Sequence, residues 1–188
     1  MDNLNSKTLT TFYSFLAQSF RYPEQTWLRE PYFDLLDSIM QSFDIDNDAP
    51  GLRQSYCANQ EGLEELQIEY TRLFINAIPS VIAPPYSSVY LDQEGNLFGP
   101  SAVWVKQFYQ QHGFDLAGEG DLPDHLVHEL DFIALLLDEG QDDVAEQFLK
   151  EHFRRWFPLF SERVLKSSTN PFYYTLLTLV DFFTREEP

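Results

Sequence analysis

The sequence predicts an all-α fold: a single-domain helical bundle of about seven or eight helices, interrupted by one long loop containing Pro and Gly. Three observations predict it. Leucine outnumbers isoleucine and valine together, which favours helix over sheet. Apolar residues recur at three- and four-residue spacing through most of the chain. The periodic stretches are separated by Pro-, Gly- and Asp-rich punctuation, with no alternating strand pattern between them.

Each element follows from its stripe. Leu9, Phe12, Leu16 and Phe20 make the first, closed by "RYP" at Arg21 to Pro23. Phe33, Leu36, Met40 and Phe43 make the second, closed by "DIDNDAPG" from Asp44. Leu63, Leu66, Tyr70, Leu73 and Phe74 make the third, stopping before Pro79. Trp104 and Phe108 lie on the fourth, with Gly113 as its C-terminal cap. Leu126, Leu130, Ile133 and Leu137 make the fifth, closed by Gly140. Its expected N-cap is Asp121, with Asp124 in the first turn, where the helix dipole favours negative charge. A sixth helix is expected from about Asp142 to Phe157, halted by Pro158, with a short helix over about Leu159 to Lys166. The last starts from Asn170 as N-cap and Pro171 as first helical residue, and carries Phe172 to Phe183.

The third and fourth helices are separated by an insert of about residues 76–100, which includes "APPYSSVYLDQEGNLFG". It exceeds the ~12–15 residues beyond which a structureless loop is unusual and often functional. Pro84 and Pro85 fix extended geometry without strand partners, which lets Tyr86 and Tyr90 lie across the helices as amphipathic plates. A strap closing one end of the bundle would need the same stiffness. A second irregular stretch, about residues 113–121, is a candidate hinge.

Composition narrows the function. The net charge is -18 over 188 residues, and 16% of the side chains are aromatic, 17 of them Phe. So acidic a chain lacks the cations that phosphate neutralisation needs, which argues against nucleic acid and suits a basic partner. The single Cys57 forms no internal bridge and fits a reducing compartment. The opening residues carry no basic region or cleavage site, and no apolar run approaches the ~20 residues of a membrane span. These features predict a cytoplasmic protein without stable membrane insertion.

The most reactive-looking cluster is His125, His128 and Glu129 on the fifth helix. It raises an alternative function, a metal-dependent hydrolase. Its order is H-x-x-H-E, however, not the H-E-x-x-H in which two histidines share a helical face. There is no phosphate-binding glycine loop and no G-x-S-x-G nucleophile. No cofactor is expected. The residues point to a binding protein rather than an enzyme.

Three segments, in order, carry a resemblance. They are "YTRLF" (Tyr70 to Phe74), "PPYSSVY" followed by a Gly-containing turn and "GPS", and "DLPDHL" (Asp121 to Leu126) ahead of a Leu-rich helix. Together they resemble the TorD/DmsD/NarJ-type redox-enzyme maturation chaperones. That family's acidic motif is Glu-Pro-x-Asp-His. Here Asp121 stands for the Glu and the proline is shifted to Pro123, closer to the Leu-Pro-Asp-His form of the nitrate-reductase branch.

The resemblance implies an all-α, non-catalytic chaperone whose partner is a molybdoenzyme catalytic subunit and its twin-arginine leader. It would hold the apo-enzyme for cofactor insertion before export, and would be a monomer or a helix-exchanged dimer. It also implies a peptide site. Tyr70, Leu73 and Phe74 would lie in a groove floor, with Pro84, Pro85 and Tyr86 as a wall. Asp124 and His125 would stand at the mouth, the carboxylate taking an arginine, and Tyr22 would join the same pocket. A helical adaptor without leader specificity is a further alternative.

Overall fold

The computed structural model describes residues 6–45, 49–92, 95–116, 118 and 122–185, and among these there is no strand. Chain order runs α1 (Ser6–Ser19), α2 (Glu30–Ser42), α3 (Ala49–Tyr56) and α4 (Gln60–Tyr70), the last continuing through a π-helical turn at Thr71–Ile75. Then come α5 (Ser88–Leu91), α6 (Pro100–Gln111), α7 (Leu126–Asp138), α8 (Asp142–Phe148), α9 (Arg154–Ser167) and α10 (Pro171–Thr184). A second π turn, Leu149–Phe153, joins α8 to α9 without a break.

Helix α1 lies along α7, the most extensive helix pairing in the fold. The stripes read from sequence face inward: Phe12, Leu16 and Phe20, then Phe33, Leu36 and Met40, then Leu126, Leu130, Ile133 and Leu137 all join one core. Aromatic rings dominate that core, with Phe148, Phe153, Trp156, Phe157 and Phe160 fully buried on α8, the second π turn and α9. Caps fall as expected at three places. Asn170 accepts from the Phe172 and Tyr173 N–H groups, and Gly113 and Gly140 end α6 and α7 with φ of 87° and 70°.

Four expectations are corrected. Pro158 does not end a helix but sits inside α9. The preceding π turn, with Arg154 N–H bonded back to the Leu149 carbonyl, has already reset the ladder one turn ahead of the bond that proline cannot donate. Helix α7 starts at Leu126, capped by His125, so Asp124 precedes the helix rather than lying in its first turn. Asp121 lies outside the described residues. The stretch after Asp44 is not all loop, since α3 forms there with Ala49, Leu52 and Tyr56 buried. The insert also holds a short helix, α5, rather than extended chain throughout.

Helices α3 and α4 meet where α4 begins. Asn59 caps the Gly62 N–H, and a Cβ on Gly62 would fall 1.9 Å from the Ser55 carbonyl oxygen. Only hydrogen fits there. Gly62→Ala is expected to destabilise the fold by about 1–3 kcal/mol, as overpacking does, despite alanine's better helix propensity. Urea denaturation of the two proteins measures it.

Candidate functional site

The groove is built from two walls. The first is the turn after α1. Helix α1 ends at Ser19, and three side chains hold the carbonyls of the turn that follows. Tyr70 Oη donates to the Phe20 carbonyl at 3.2 Å, Trp27 Nε1 to that of Tyr22 at 3.1 Å, and Gln67 Nε2 to that of Pro23 at 2.7 Å. Tyr70 and Gln67 come from α4, so the turn is pinned to a helix remote in sequence. Burial, reinforced by Tyr86, pushes the Tyr70 phenol up to about 12, which keeps it a donor. Arg21 and Tyr22 are thereby presented outward, and the Tyr22 ring meets Tyr70 edge-on at 5.4 Å.

The second wall is the insert laid against the start of α7. The Leu73 carbonyl, free at the end of its helix, accepts from Ala83 N–H at 2.8 Å and turns the insert inward. Pro85 and Ser87 then pair with residues before α7: Leu126 N–H donates to the Pro85 carbonyl at 2.9 Å, and Ser87 N–H to that of Asp124 at 3.0 Å. Tyr86 and His125 thus face each other in a short antiparallel bridge, their rings 4.9 Å apart and nearly perpendicular. Beneath them the fully buried Asp124 carboxylate accepts from Ser88 N–H at 2.9 Å, the first residue of α5.

A groove of about 790 Å³ lies between the walls, lined by Tyr22, Tyr70, Tyr86 and His125 together with Arg21, Glu24 and His128, among others. A smaller one of about 530 Å³ adjoins it, sharing Tyr22 and lined also by Ile68, Thr71, Arg72 and Asn76. His125 Nδ1 accepts from Val127 N–H at 3.1 Å, which leaves its proton on Nε2. Burial, with help from neighbouring His128 and Arg21, drives the His125 pKa down to about 3, so the ring is neutral.

Four of the sequence-derived site residues, Tyr22, Tyr70, Tyr86 and His125, therefore come together. The others do not line the groove. Leu73 and Phe74 turn into the core, at 0% and 6% exposure. Pro85 is buried and Pro84 half-buried, and both shape the wall through their backbone. Asp124 is not at a mouth at all. It is 0% exposed, and one oxygen is committed to Ser88, so it orients the wall and meets no solvent.

The hydrolase cluster also disperses. Glu129 points into the core, where its carboxylate bonds His152 Nε2 and Trp156 Nε1, each at 2.8 Å. Burial raises the Glu129 pKa. His125 and His128 face the groove instead. Among the described residues no three His, Cys, Asp or Glu side chains are arranged to hold a metal ion.

Residues 40–162 match the family described as nitrate reductase delta subunit. The chain belongs to that family. Its relatives include a protein of Haemophilus influenzae named for the Tat proofreading chaperone DmsD, 31% identical over 157 residues, which are 82% of this chain and 73% of that one. The Tat proofreading chaperone DmsD of Salmonella typhi is 34% identical over 60% of this chain and 55% of its own. The chaperone protein TorD of Actinobacillus succinogenes is 26% identical over 63% and 60%. A crystal structure of an Archaeoglobus fulgidus chain, named as a redox enzyme maturation protein, superposes with a TM-score of 0.62. It is 25% identical and covers 98% of this chain and 100% of that one. The resemblance drawn from the three segments is thus to the right family.

Sequence reasoning missed Arg21, Glu24 and His128 in this family member's groove. Arg21 and Glu24 flank Tyr22 and Pro23 in the "RYP" turn, but a turn's residues announce no partner until the chain is folded. His128 was seen, but as a metal ligand rather than a groove wall.

Two outcomes follow from the burial of this site. Asp124→Ala should cost about 2 kcal/mol of stability, the worth of a hydrogen bond to a charged group, and Asp124→Asn less, because the amide oxygen still accepts from Ser88. Urea denaturation of both variants measures the difference. For His125 the folded pKa lies near 3, below the ordinary value of 6.5. Its contribution to stability is full above about pH 6.5 and is lost as pH falls towards 3, because the unfolded chain binds the proton more readily. Glu129, with its raised pKa, acts in the opposite sense as pH rises. The difference between wild type and His125→Asn, which keeps the cap, should therefore shrink steadily below pH 6.5, read from melting temperatures across pH 4–8.

Proposed function

We propose that this protein is a cytoplasmic, non-enzymatic maturation chaperone for a molybdenum-containing oxidoreductase, binding the enzyme's twin-arginine leader in the groove between the "RYP" turn and the insert. Relatives bear the names of Tat proofreading chaperones, which agrees with the leader-binding partner implied by the family resemblance. The observation that carries the reading is the convergence of Tyr22, Tyr70, Tyr86 and His125 in one groove from separate parts of the chain.

The chemistry suits a leader with guanidinium groups followed by an apolar stretch. Aromatic faces at Tyr22 and Tyr86 attract guanidinium through the ring quadrupole. Glu24 supplies an exposed carboxylate at the same groove. His125, held neutral, adds no repelling charge. The adjoining groove, with Ile68 at 68% exposure, suits the apolar stretch, and Ile75 and Ile78 next to Asn76 are 54% and 99% exposed. Both walls are held by backbone and side-chain hydrogen bonds before a peptide arrives, so little ordering entropy is lost on binding. The net charge of -18 draws a cationic leader in.

No helix among the described residues is long and apolar enough to cross a membrane.

Calorimetric titration with synthetic leaders from several molybdoenzymes, each beside a Lys-Lys control, tests the reading. One leader should bind at about micromolar affinity or tighter and weaken with the control. Silence across the panel would remove leader recognition from the account. Association should also slow as salt rises to physiological strength, with dissociation little changed; stopped-flow fluorescence of the groove tyrosines and Trp27 reads both rates.

A further inference from the structure

We infer that Asp131 is the carboxylate that receives a client arginine, and that Arg21 occupies it in the free protein as an internal stand-in. The inference rests on the groove reading above and names the acceptor that Asp124, buried and committed, cannot be.

Arg21 lines the groove, and its guanidinium reaches out of the "RYP" turn to Asp131 on α7, Nη2 to Oδ2 at 2.7 Å. The contact uses one nitrogen and one oxygen, not the two parallel bonds that guanidinium and carboxylate can form. Both partners stay partly exposed, at 47% and 37% of their side chains, a setting in which an ion pair contributes little stability. The pair is cheap to open.

Asp131 itself is partly withdrawn from water beside the groove. It lies one helical turn after His128, a groove residue, and burial raises its pKa against the lowering pull of Arg21 and then His128. A carboxylate partly withdrawn from water gains more from a bidentate partner than one fully solvated. An arriving guanidinium offers the two-bond geometry that Arg21 does not use. Arg21, tethered to a pinned turn, can swing to Glu24 or to solvent without disturbing the backbone. Exchange of one guanidinium for another leaves no buried charge unpaired at any stage. It also gives selectivity for arginine, since lysine lacks the planar fork.

The exchange predicts opposite signs for two substitutions. Titrated with the leader that binds best, Asp131→Asn should weaken binding about tenfold, on the scale of one charge-assisted hydrogen bond. Arg21→Gln should tighten it by roughly twofold to fivefold, because the competitor is gone. Arg155→Gln, an equal change of charge at an exposed site away from this groove, should leave affinity nearly unchanged and so controls for the general field. Circular dichroism and melting temperature confirm that each variant folds, and Arg21→Gln carries the test alone if Asp131→Asn does not fold. Weaker binding by Arg21→Gln would make Arg21 a client contact and overturn the exchange. Unchanged affinity in both variants would overturn it too. A wild-type protein that binds no leader would defeat the groove reading itself, whereas leader binding indifferent to Asp131 defeats only this step.

Discussion

The hydrogen bond from Ser88 N–H to the buried carboxylate of Asp124 is the constraint on which the groove depends. A carboxyl group at 0% exposure is costly unless the fold supplies it with hydrogen bonds. Here Oδ2 takes one from α5, a helix of four residues too short to be stable alone, while Oδ1 is buried without a partner among the described residues. The carboxylate and the short helix therefore stabilise each other. The bond is flanked by Ser87 N–H to Asp124 and Leu126 N–H to Pro85, and the three together leave Tyr86 and His125 no other position. The groove's second wall is thus a consequence of one buried acid. What looks from sequence like a binding carboxylate acts through the residues beside it.

The facing wall is held by a different device of the same kind. The turn at Phe20 to Pro23 has carbonyls that no helix satisfies, and Tyr70, Trp27 and Gln67 supply their donors. Two walls pinned independently to α4 and to α7 make the gap between them a property of the helix packing. Helix α1 along α7 sets the distance, and the buried Glu129, His152 and Trp156 network ties α7 to α9 behind it. Trp104 stacked on His152 at 5.1 Å extends that tie to α6. Glu129 is isolated from solvent, and its two 2.8 Å partners explain why an acid can sit there at all. The pair His128 and Glu129, adjacent in sequence, divides between groove and core because successive helical residues point about 100° apart.

How much of this was legible follows from what each feature depends on. Stripes such as Leu126, Leu130, Ile133 and Leu137 depend only on local period and burial, and they were read correctly. So were the Asn170 cap and the Gly113 and Gly140 ends, which are local chemistry. Helix α3 was missed because its eight residues show only three buried positions, too few for a period. Pro158 misled because the π turn that accommodates it carries no composition signal. In the groove, Tyr86 stood out as an aromatic beside two prolines of the insert, whereas Tyr22 was placed there by the family resemblance. Asp124 and Asp131 could not be told apart that way. Both are acids near one helix start, and which is buried depends on how the insert crosses α7, a long-range fact.

The charge of the whole and the charge of the groove have separate roles under the chaperone reading. A field from -18 charges attracts any cationic segment, but it is screened within about 8 Å at physiological salt and cannot tell one basic peptide from another. Selection must then occur inside the groove, where the described lining residues hold Arg21, Glu24 and two histidines as ionisable groups besides three tyrosines. A groove crowded with acids would bind lysine-rich chains as readily as arginine pairs. One exposed carboxylate, a second held in reserve behind Arg21, and three tyrosine rings favour the planar, weakly hydrated guanidinium instead. Among the described lining residues, the balance of few charges and several aromatic faces favours geometry over charge alone in deciding what binds.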